Sequence, residues 1–272
     1  MTLQHKLNPD VEVMGILNVT PDSFSDGGKF NRFDSALAQA EQMAIEGASI
    51  IDIGGESTRP GAAEVSLQEE LERTVPVIEQ LSSQIDVRIS IDTSKPQVMR
   101  EAVNAGATLI NDVRALQLPG ALEIAASSNA DVCLMHMQGQ PRTMQDAPRY
   151  EDLLKDIMAF FRQRVTACEK AGIPRTKLIL DPGFGFGKAL EHNYEILGQL
   201  DYFDELQLPL LIGLSRKSMI GNLLNRSVEQ RLAGSLSGAL IAALQGAKIL
   251  RVHDVKETVD ALNVLKKTIQ LI

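Results

Sequence analysis

The stretch Lys177-Leu178-Ile179-Leu180-Asp181-Pro182-Gly183 decides the fold. A short run of consecutive apolar residues ends abruptly on an acid, a proline and a glycine. Continuous rather than alternating apolarity suits a strand buried on both faces, as in a parallel sheet. Working outward, the same figure recurs at Val11–Leu17, Ala48–Ile53, Val87–Ile91, Thr108–Ile110, Val132–Met135, Pro209–Leu214 and Lys248–Val252, eight runs in all. Between them lie helical patterns. Ala36, Leu37, Ala40, Met43, Ala44 and Gly47 follow a 3.6-residue spacing, as do Leu67, Leu71, Val75, Ile78 and Leu81. Leu153, Leu154, Ile157, Phe160, Phe161 and Val165 form the cleanest stripe, and a last helix over Val255–Ile269 turns Val259, Leu262, Val264 and Leu265 inward. Gly47, Gly106, Gly172 and Gly246 each close a helical stretch, where a positive φ is often needed.

Eight strand–helix units in 272 residues average about 34 residues each, which matches an α/β fold of the (β/α)8 TIM-barrel type. An open doubly wound sheet would need a dinucleotide or switch-point signal that the chain does not offer. No Pro/Ser/Gly-rich linker and no shift in composition divides the sequence, so residues 1–272 read as a single domain.

The chain is 44% hydrophobic and 23% charged, the balance of an ordinary globular protein. Its net charge of −8 lacks the electrostatic footprint of a general nucleic-acid binder, though a local anion site remains open. Two cysteines, Cys133 and Cys168, lie among apolar residues and read as buried free thiols in a reducing compartment. Met1–Asp10 has no apolar secretory core, and no run approaches the ~18 apolar residues of a membrane span. The expected location is the cytoplasm, with no membrane partner.

In a barrel, chemistry sits at the C-terminal strand ends. Read in order, those ends carry Asn18, Gly55-Glu56-Ser57-Thr58-Arg59-Pro60, Asp92-Thr93-Ser94, Asn111-Asp112, His136, Asp181, Ser215-Arg216-Lys217-Ser218 and Arg251-Val252-His253. The strand starts show no such clustering. Asp92, Asn111 and Asp181 supply acceptors and amides suited to the N–H-rich edge of a flat heterocycle. Asp92 and Asp181 could equally cap the segments that follow, since Pro96 stands in the position of a first helical turn. Lys217, Arg251 and His253 come from the last two ends, where barrels often bind phosphate. Ser215–Ser218 would also begin a helix whose free N–H groups favour an anion. Arg216 reads as a solvated charge, and His5 and His192 as surface residues.

Two loops, Asn18–Gly28 and Gly54–Ala62, combine glycine, proline, hydroxyls and charge, as substrate-covering loops or simple turns do. Gly183-Phe184-Gly185-Phe186-Gly187-Lys188 fails as a phosphate loop, because Pro182 and Ala189 stand where Gly and Ser/Thr are required. No H-x3-H or C-x2-C pair suggests zinc, and no G-x-S-x-G elbow appears.

Together these ends form a recognisable set. Gly15–Asp26 and Gly54–Gly61 resemble the two signature segments of the bacterial dihydropteroate synthase family of pterin-binding enzymes. Ile91–Ser94, Ile110–Val113, Leu134–Met137, Leu180–Gly187, Ser215–Ser218 and Arg251–His253 resemble its further motifs, in the family's order and across essentially the whole chain. The resemblance implies condensation of 6-hydroxymethyl-7,8-dihydropterin pyrophosphate with para-aminobenzoate, giving 7,8-dihydropteroate and pyrophosphate.

By the same resemblance, Asp92, Asn111, Met135, Asp181 and Lys217 hold the pterin. Asn18, Arg251 and His253 bind pyrophosphate, with Asn18 as a ligand of Mg2+. Phe24, Thr58, Arg59, Pro60 and Ser215 shape the aminobenzoate site, together with Lys217. Asp26, Arg59, Asp92 and Lys217 carry the catalytic roles. A homodimer is also implied, and sulfonamides, which mimic aminobenzoate, inhibit the family in general. The main alternative is a pterin-binding methyltransferase barrel, which would need neither the Thr58-Arg59-Pro60 loop nor the Arg251 and His253 pair.

Overall fold

The computed structural model describes residues 11–20, 29–57, 64–139 and 148–270, without the side chains of 29–32. Eight parallel strands run in order: β1 (Glu12–Asn18), β2 (Ile50–Gly54), β3 (Arg88–Asp92), β4 (Leu109–Asp112), β5 (Asp131–Met135), β6 (Leu178–Asp181), β7 (Leu211–Ile212) and β8 (Ile249–Val252). Each lies within one of the expected runs or overhangs it by a residue or two. Neighbours pair in sequence order, and β8 pairs with both β1 and β7. A bridge between Leu180 and Leu210, with Leu180 N–H donating to Pro209 O at 2.9 Å, joins β6 to β7 and closes the barrel.

The helices are α1 (Lys29–Ile45), α2 (Leu67–Gln84), α3 (Pro96–Asn104), α4 (Ala121–Ser127), α5 (Leu153–Lys170), α6 (Leu190–Gly198), α7 (Ser218–Leu224), α8 (Leu232–Leu244) and α9 (Val255–Ile269). The β7–β8 crossover holds two of them, α7 and α8, where a simple repeat of units predicts one. Local chemistry sets several starts. Ser66 caps α2 by accepting the Glu69 N–H, and Asp152 caps α5 by accepting the Lys155 N–H, each at 3.2 Å. Gly47, Gly106, Gly172 and Gly246 take φ of +100°, +118°, +95° and +95°, as helix-closing glycines should.

Two helices sit differently from the periodic reading. α2 buries Glu70, Thr74, Val77, Ile78 and Leu81, leaving Leu67 exposed and Leu71 and Val75 half-buried. The stripe is rotated because Glu70 finds partners inside. On α9, Val264 points to solvent at 69% exposure, while Val255 and Thr258 take the inner face.

Strand side chains alternate faces with a period of two. Val13, Leu17, Ile51, Ile91, Leu134 and Leu180 face the helices and join the large core. Met14, Ile50, Leu109, Cys133, Ile179, Leu211 and Ile249 form a separate buried cluster that plugs the barrel interior. Below this plug the strand starts do carry a charge cluster, contrary to expectation. Arg88 reaches Asp131 at 2.7 Å and Glu12 at 3.4 Å, and Lys177 reaches Asp131 at 3.2 Å. Both cysteines are buried and free. Among the described residues, no helix is long and apolar enough to cross a membrane.

Candidate active site

Continuing the same two-residue alternation upward from the plug sets the composition of the barrel mouth. The inward positions at the strand ends are Asn18, Gly54, Asp92, Asn111, Met135, Asp181, Gly213 and Arg251, so six side chains and two glycines surround one opening. A Cβ at Gly54 would lie 3.6 Å from Asp92 Cβ and 3.7 Å from Asn18 Oδ1; one at Gly213 would lie 3.8 Å from Arg251. Larger side chains at these two positions would project into the opening.

One level deeper on β2 sits Asp52, fully buried. Its Oδ2 accepts Arg251 Nε–H at 2.5 Å and Asn111 Nδ2–H at 3.1 Å, while its Oδ1 has no partner. Arg251 also donates from Nη2 to Asp92 Oδ2 at 2.7 Å. The guanidinium thus bridges two carboxylates. Burial opposes its charge, but Asp52 and Asp92 outweigh that and move its pKa upward.

Asp92 itself is pushed up to about 7. Burial is the main cause; Arg251 opposes it, and the nearby carboxylates of Asp52, Asp112 and Glu70 reinforce it. Asp92 does not act as a helix cap. Lys95 occupies the N-cap position of α3 without a side-chain cap, and its N–H goes to Thr93 Oγ1 at 3.1 Å. Asp181 does take the local role, accepting the Gly183 N–H at 2.7 Å. Burial raises its pKa, with Lys217 pulling the other way. Met135, at the end of β5, is buried beside the same loop, its Cγ 3.3 Å from where a Cβ on Gly183 would stand.

Lys217 N-caps α7. Its Nζ donates to Phe184 O at 2.5 Å and lies 4.7 Å from the centre of the Phe186 ring. Burial lowers its pKa to about 8, against the attraction of Asp181, so it remains largely cationic at neutral pH. Beside it, buried Ser215 accepts the His253 N–H at 3.2 Å, and its Oγ stands 3.1 Å from His253 Nδ1. Arg216, at φ +56°, turns away and pairs with Asp254, Nε to Oδ2 at 2.9 Å, so it is a paired charge rather than a solvated one. His192 is not a bare surface residue either: its Nδ1 accepts the Ala189 N–H at 3.2 Å, and its ring meets Tyr150 edge-on.

The second loop is held at its described shoulders. Glu56 Oε1 accepts the Val65 N–H at 3.3 Å, and Lys95 Nζ joins Glu56 and buried Glu70 at 2.5 Å each. Phe24, Asp26, Thr58, Arg59 and Pro60 lie outside the described residues. Among the described residues, no cluster of three or more His, Cys, Asp or Glu side chains could hold a metal ion.

The structure therefore brings Asn18, Asp92, Asn111, Met135, Asp181 and Arg251 around one opening, with Lys217, Ser215 and His253 on its rim. The strand-end reading passed over Asp52, Phe186 and Lys188. Asp52 had a usable signal: a charge inside Ile50-Ile51-Asp52-Ile53, two positions before Gly54, must face the barrel interior.

A model of the family described as pterin binding enzyme matches residues 14–253. The chain is 58% identical over 257 residues to dihydropteroate synthase of Escherichia coli (strain K12), covering 94% of this chain and 91% of that one. Among solved structures, Yersinia pestis dihydropteroate synthase in a sulfonamide drug complex superposes with a TM-score of 0.91 at 58% identity, covering 98% of this chain and 96% of that one. Xanthomonas albilineans dihydropteroate synthase in complex with 7,8-dihydropteroate superposes with a TM-score of 0.88 at 48% identity, again over 98% and 96% of the two chains.

Proposed function

This chain belongs to the pterin-binding enzyme family, and from that premise we infer that it is a dihydropteroate synthase, joining a dihydropterin pyrophosphate to para-aminobenzoate. The observation that carries this reading is the convergence of acceptors and cations at one opening: Asp92, Asn111 and Asp181 face Arg251 and Lys217.

The reaction forms a bond from the aniline nitrogen to the pterin methylene carbon and breaks that carbon's bond to pyrophosphate oxygen. The electron pair leaves with pyrophosphate, and the aniline nitrogen gives up a proton. Asp92 and Asp181 offer carboxylate oxygens, and Asn111 an amide, to the N–H-rich edge of the pterin. Met135 packs near the ring. Lys217, a cation at neutral pH, reaches the ring's carbonyl and ring-nitrogen acceptors. Positive charge grows on the methylene as the carbon–oxygen bond opens, and the carboxylate of Asp92 stabilises it. Negative charge grows on pyrophosphate. Arg251 has N–H groups beyond those engaged by Asp52 and Asp92, and His253 stands exposed at the rim, so both can receive it. No protein nucleophile is required.

Asn18 offers one carbonyl oxygen beside the space left by Gly54, which suits a hard cation that keeps water and phosphate oxygens as its other ligands. Mg2+ held there with pyrophosphate would supply charge neutralisation to the leaving group. Ser215 borders the aminobenzoate end; the family resemblance assigns Phe24, Thr58, Arg59 and Pro60 to the same substrate and Asp26 to organising the active site. Leu223, Leu224, Val228 and Ile241 are apolar and 57%, 45%, 43% and 43% exposed, which supports a homodimer through α7, α8 and the turn between them. The buried free thiols suit a cytoplasmic location.

The test is pyrophosphate release with Mg2+, dihydropterin pyrophosphate and para-aminobenzoate, omitting each in turn. Release that depends on both organic substrates is expected. Absence of release from folded protein that still binds the pterin refutes the synthase reading.

A further inference from the structure

Lys188 lies outside every assigned role, yet its amine is placed with unusual care. The side chain is 3% exposed. Its Nζ stands 3.0 Å from Phe186 O, 3.3 Å from His136 O and 3.0 Å from His136 Nδ1. Three acceptors meet the three N–H donors of an ammonium group. Two of them belong to the segment after β5 and one to the loop after β6.

That second loop, Gly183–Lys188, is pressed flat against the first. A Cβ on Gly183 would stand 2.0 Å from His136 O, and one on Gly187 2.5 Å from Gln138 O. Gly183, Gly185 and Gly187 take φ of +72°, +79° and +66°, which L side chains rarely adopt. Polar anchors fix the loop elsewhere as well. Asn193 accepts the Gly185 N–H at 2.7 Å, and the Tyr150 hydroxyl donates to Gly187 O at 2.7 Å.

The loop in turn defines the surroundings of Lys217. Phe184 O accepts from the Lys217 amine, and the Phe186 ring lies under it. We propose that Lys188 is a positioning residue: through Phe186 O and the two His136 acceptors it locks the Gly183–Gly187 loop so that Phe184 O and the Phe186 ring hold the Lys217 amine in place for the reaction. His136 is buried and pushed down to about 2 by burial and by Lys188, so it is neutral and serves as an acceptor. Burial lowers Lys188 to about 7; Asp181 opposes that and Lys217 adds to it. A buried amine destabilised as a cation, yet given three acceptors, is a costly device for filling space.

The proposal rests on the synthase reading, and the experiment separates the two. Wild-type enzyme is first assayed for pyrophosphate release requiring both substrates; its failure refutes the reading itself. Lys188→Met keeps most of the volume and removes the donors. For a folded variant, kcat/KM for aminobenzoate is expected to fall at least fivefold. Affinity for inorganic pyrophosphate, read separately by calorimetry, should change less than about threefold, because Arg251 and His253 are untouched. A smaller fall in kcat/KM, or an equal fall in both quantities, overturns the proposal and leaves Lys188 a packing residue. If Lys188→Met does not fold, Tyr150→Phe removes one anchor of the same loop from outside the site. It should lower kcat/KM for aminobenzoate at least about twofold, with pyrophosphate affinity retained. No selective fall in that variant overturns the proposal as well.

Discussion

Asp92→Asn is expected to make the ligand-free enzyme more stable at pH 8 while damaging its pterin site. In the folded protein the Asp92 carboxyl keeps its proton up to about 7, against an ordinary value of 3.8. Between those values the folded state binds more protons than the unfolded chain. Stability contributed by this group is therefore fully present below pH 4, declines as pH rises toward 7, and is absent above it. A difference of about 3 units at 1.36 kcal/mol each sets an upper bound of about 4 kcal/mol. Asparagine resembles the protonated acid and has no charge to desolvate, and its amide oxygen can still accept from Arg251. The variant should match wild type near pH 4 and exceed it progressively above that, by roughly 8–16 °C in Tm at pH 8 if the bound is reached. Subtracting the two Tm-versus-pH curves cancels every other titrating group. Dihydropterin affinity should move oppositely, falling about ten- to a hundredfold through loss of charge-assisted hydrogen bonds. A stability difference that does not change with pH, or a variant less stable than wild type at pH 8, would refute the reasoning.

Three further outcomes are expected. Gly54→Leu should fold, because its Cβ meets Asp92 and Asn18 at ordinary contact distance. Its remaining carbons would occupy the mouth, and dihydropterin affinity measured by calorimetry should fall by more than about thirtyfold; retention within threefold contradicts the placement of the pterin. Asp52→Ala leaves the Arg251 guanidinium to Asp92 alone and takes the acceptor from the buried Asn111 amide, and denaturant titration should show a loss of about 1–3 kcal/mol. Asp52→Asn, which keeps an acceptor, should lose distinctly less. Burial pushes the Cys133 thiol well up and that of Cys168 to about 11. Both should ignore a thiol reagent at pH 8 in native protein and react once it is unfolded; rapid native reaction would contradict their burial.

The strands were legible because a strand buried on both faces announces itself twice, by a continuous apolar run and by the abrupt polar residues at its end. Ile179 and Leu180 face opposite sides of the barrel wall and both find apolar partners, so alternation vanishes from the sequence. Helix faces were less legible. The stripe of α2 rotates toward Glu70, whose partners Thr93 and Lys95 lie 23 and 25 residues away. Hydrophobic periodicity contains no term for a buried acid with a distant cation. Val264 shows the converse, an apolar residue on a helical stripe with nothing beyond it to cover it. The ion cluster of Glu12, Arg88 and Asp131 was missed for the same reason, since its members sit singly at three strand starts.

Within the site, residues that terminate strands could be read directly, whereas residues that act on those residues could not. Asp52, Arg251 and Asp92 form one chain of hydrogen bonds, but Arg251 is 199 positions from Asp52 and 159 from Asp92. Strand ends alone assign Arg251 to an anion; the structure adds that it already bridges two carboxylates before any ligand arrives. Even with that bridge, Asp92 remains poorly stabilised as a carboxylate. Among the described residues it receives one guanidinium donor and is surrounded by other acids. A pterin edge brings the N–H donors that the barrel itself withholds. Ligand binding should therefore favour ionised Asp92, release its proton near neutral pH, and raise stability most where the contribution of Asp92 to the free enzyme is lost, above pH 7.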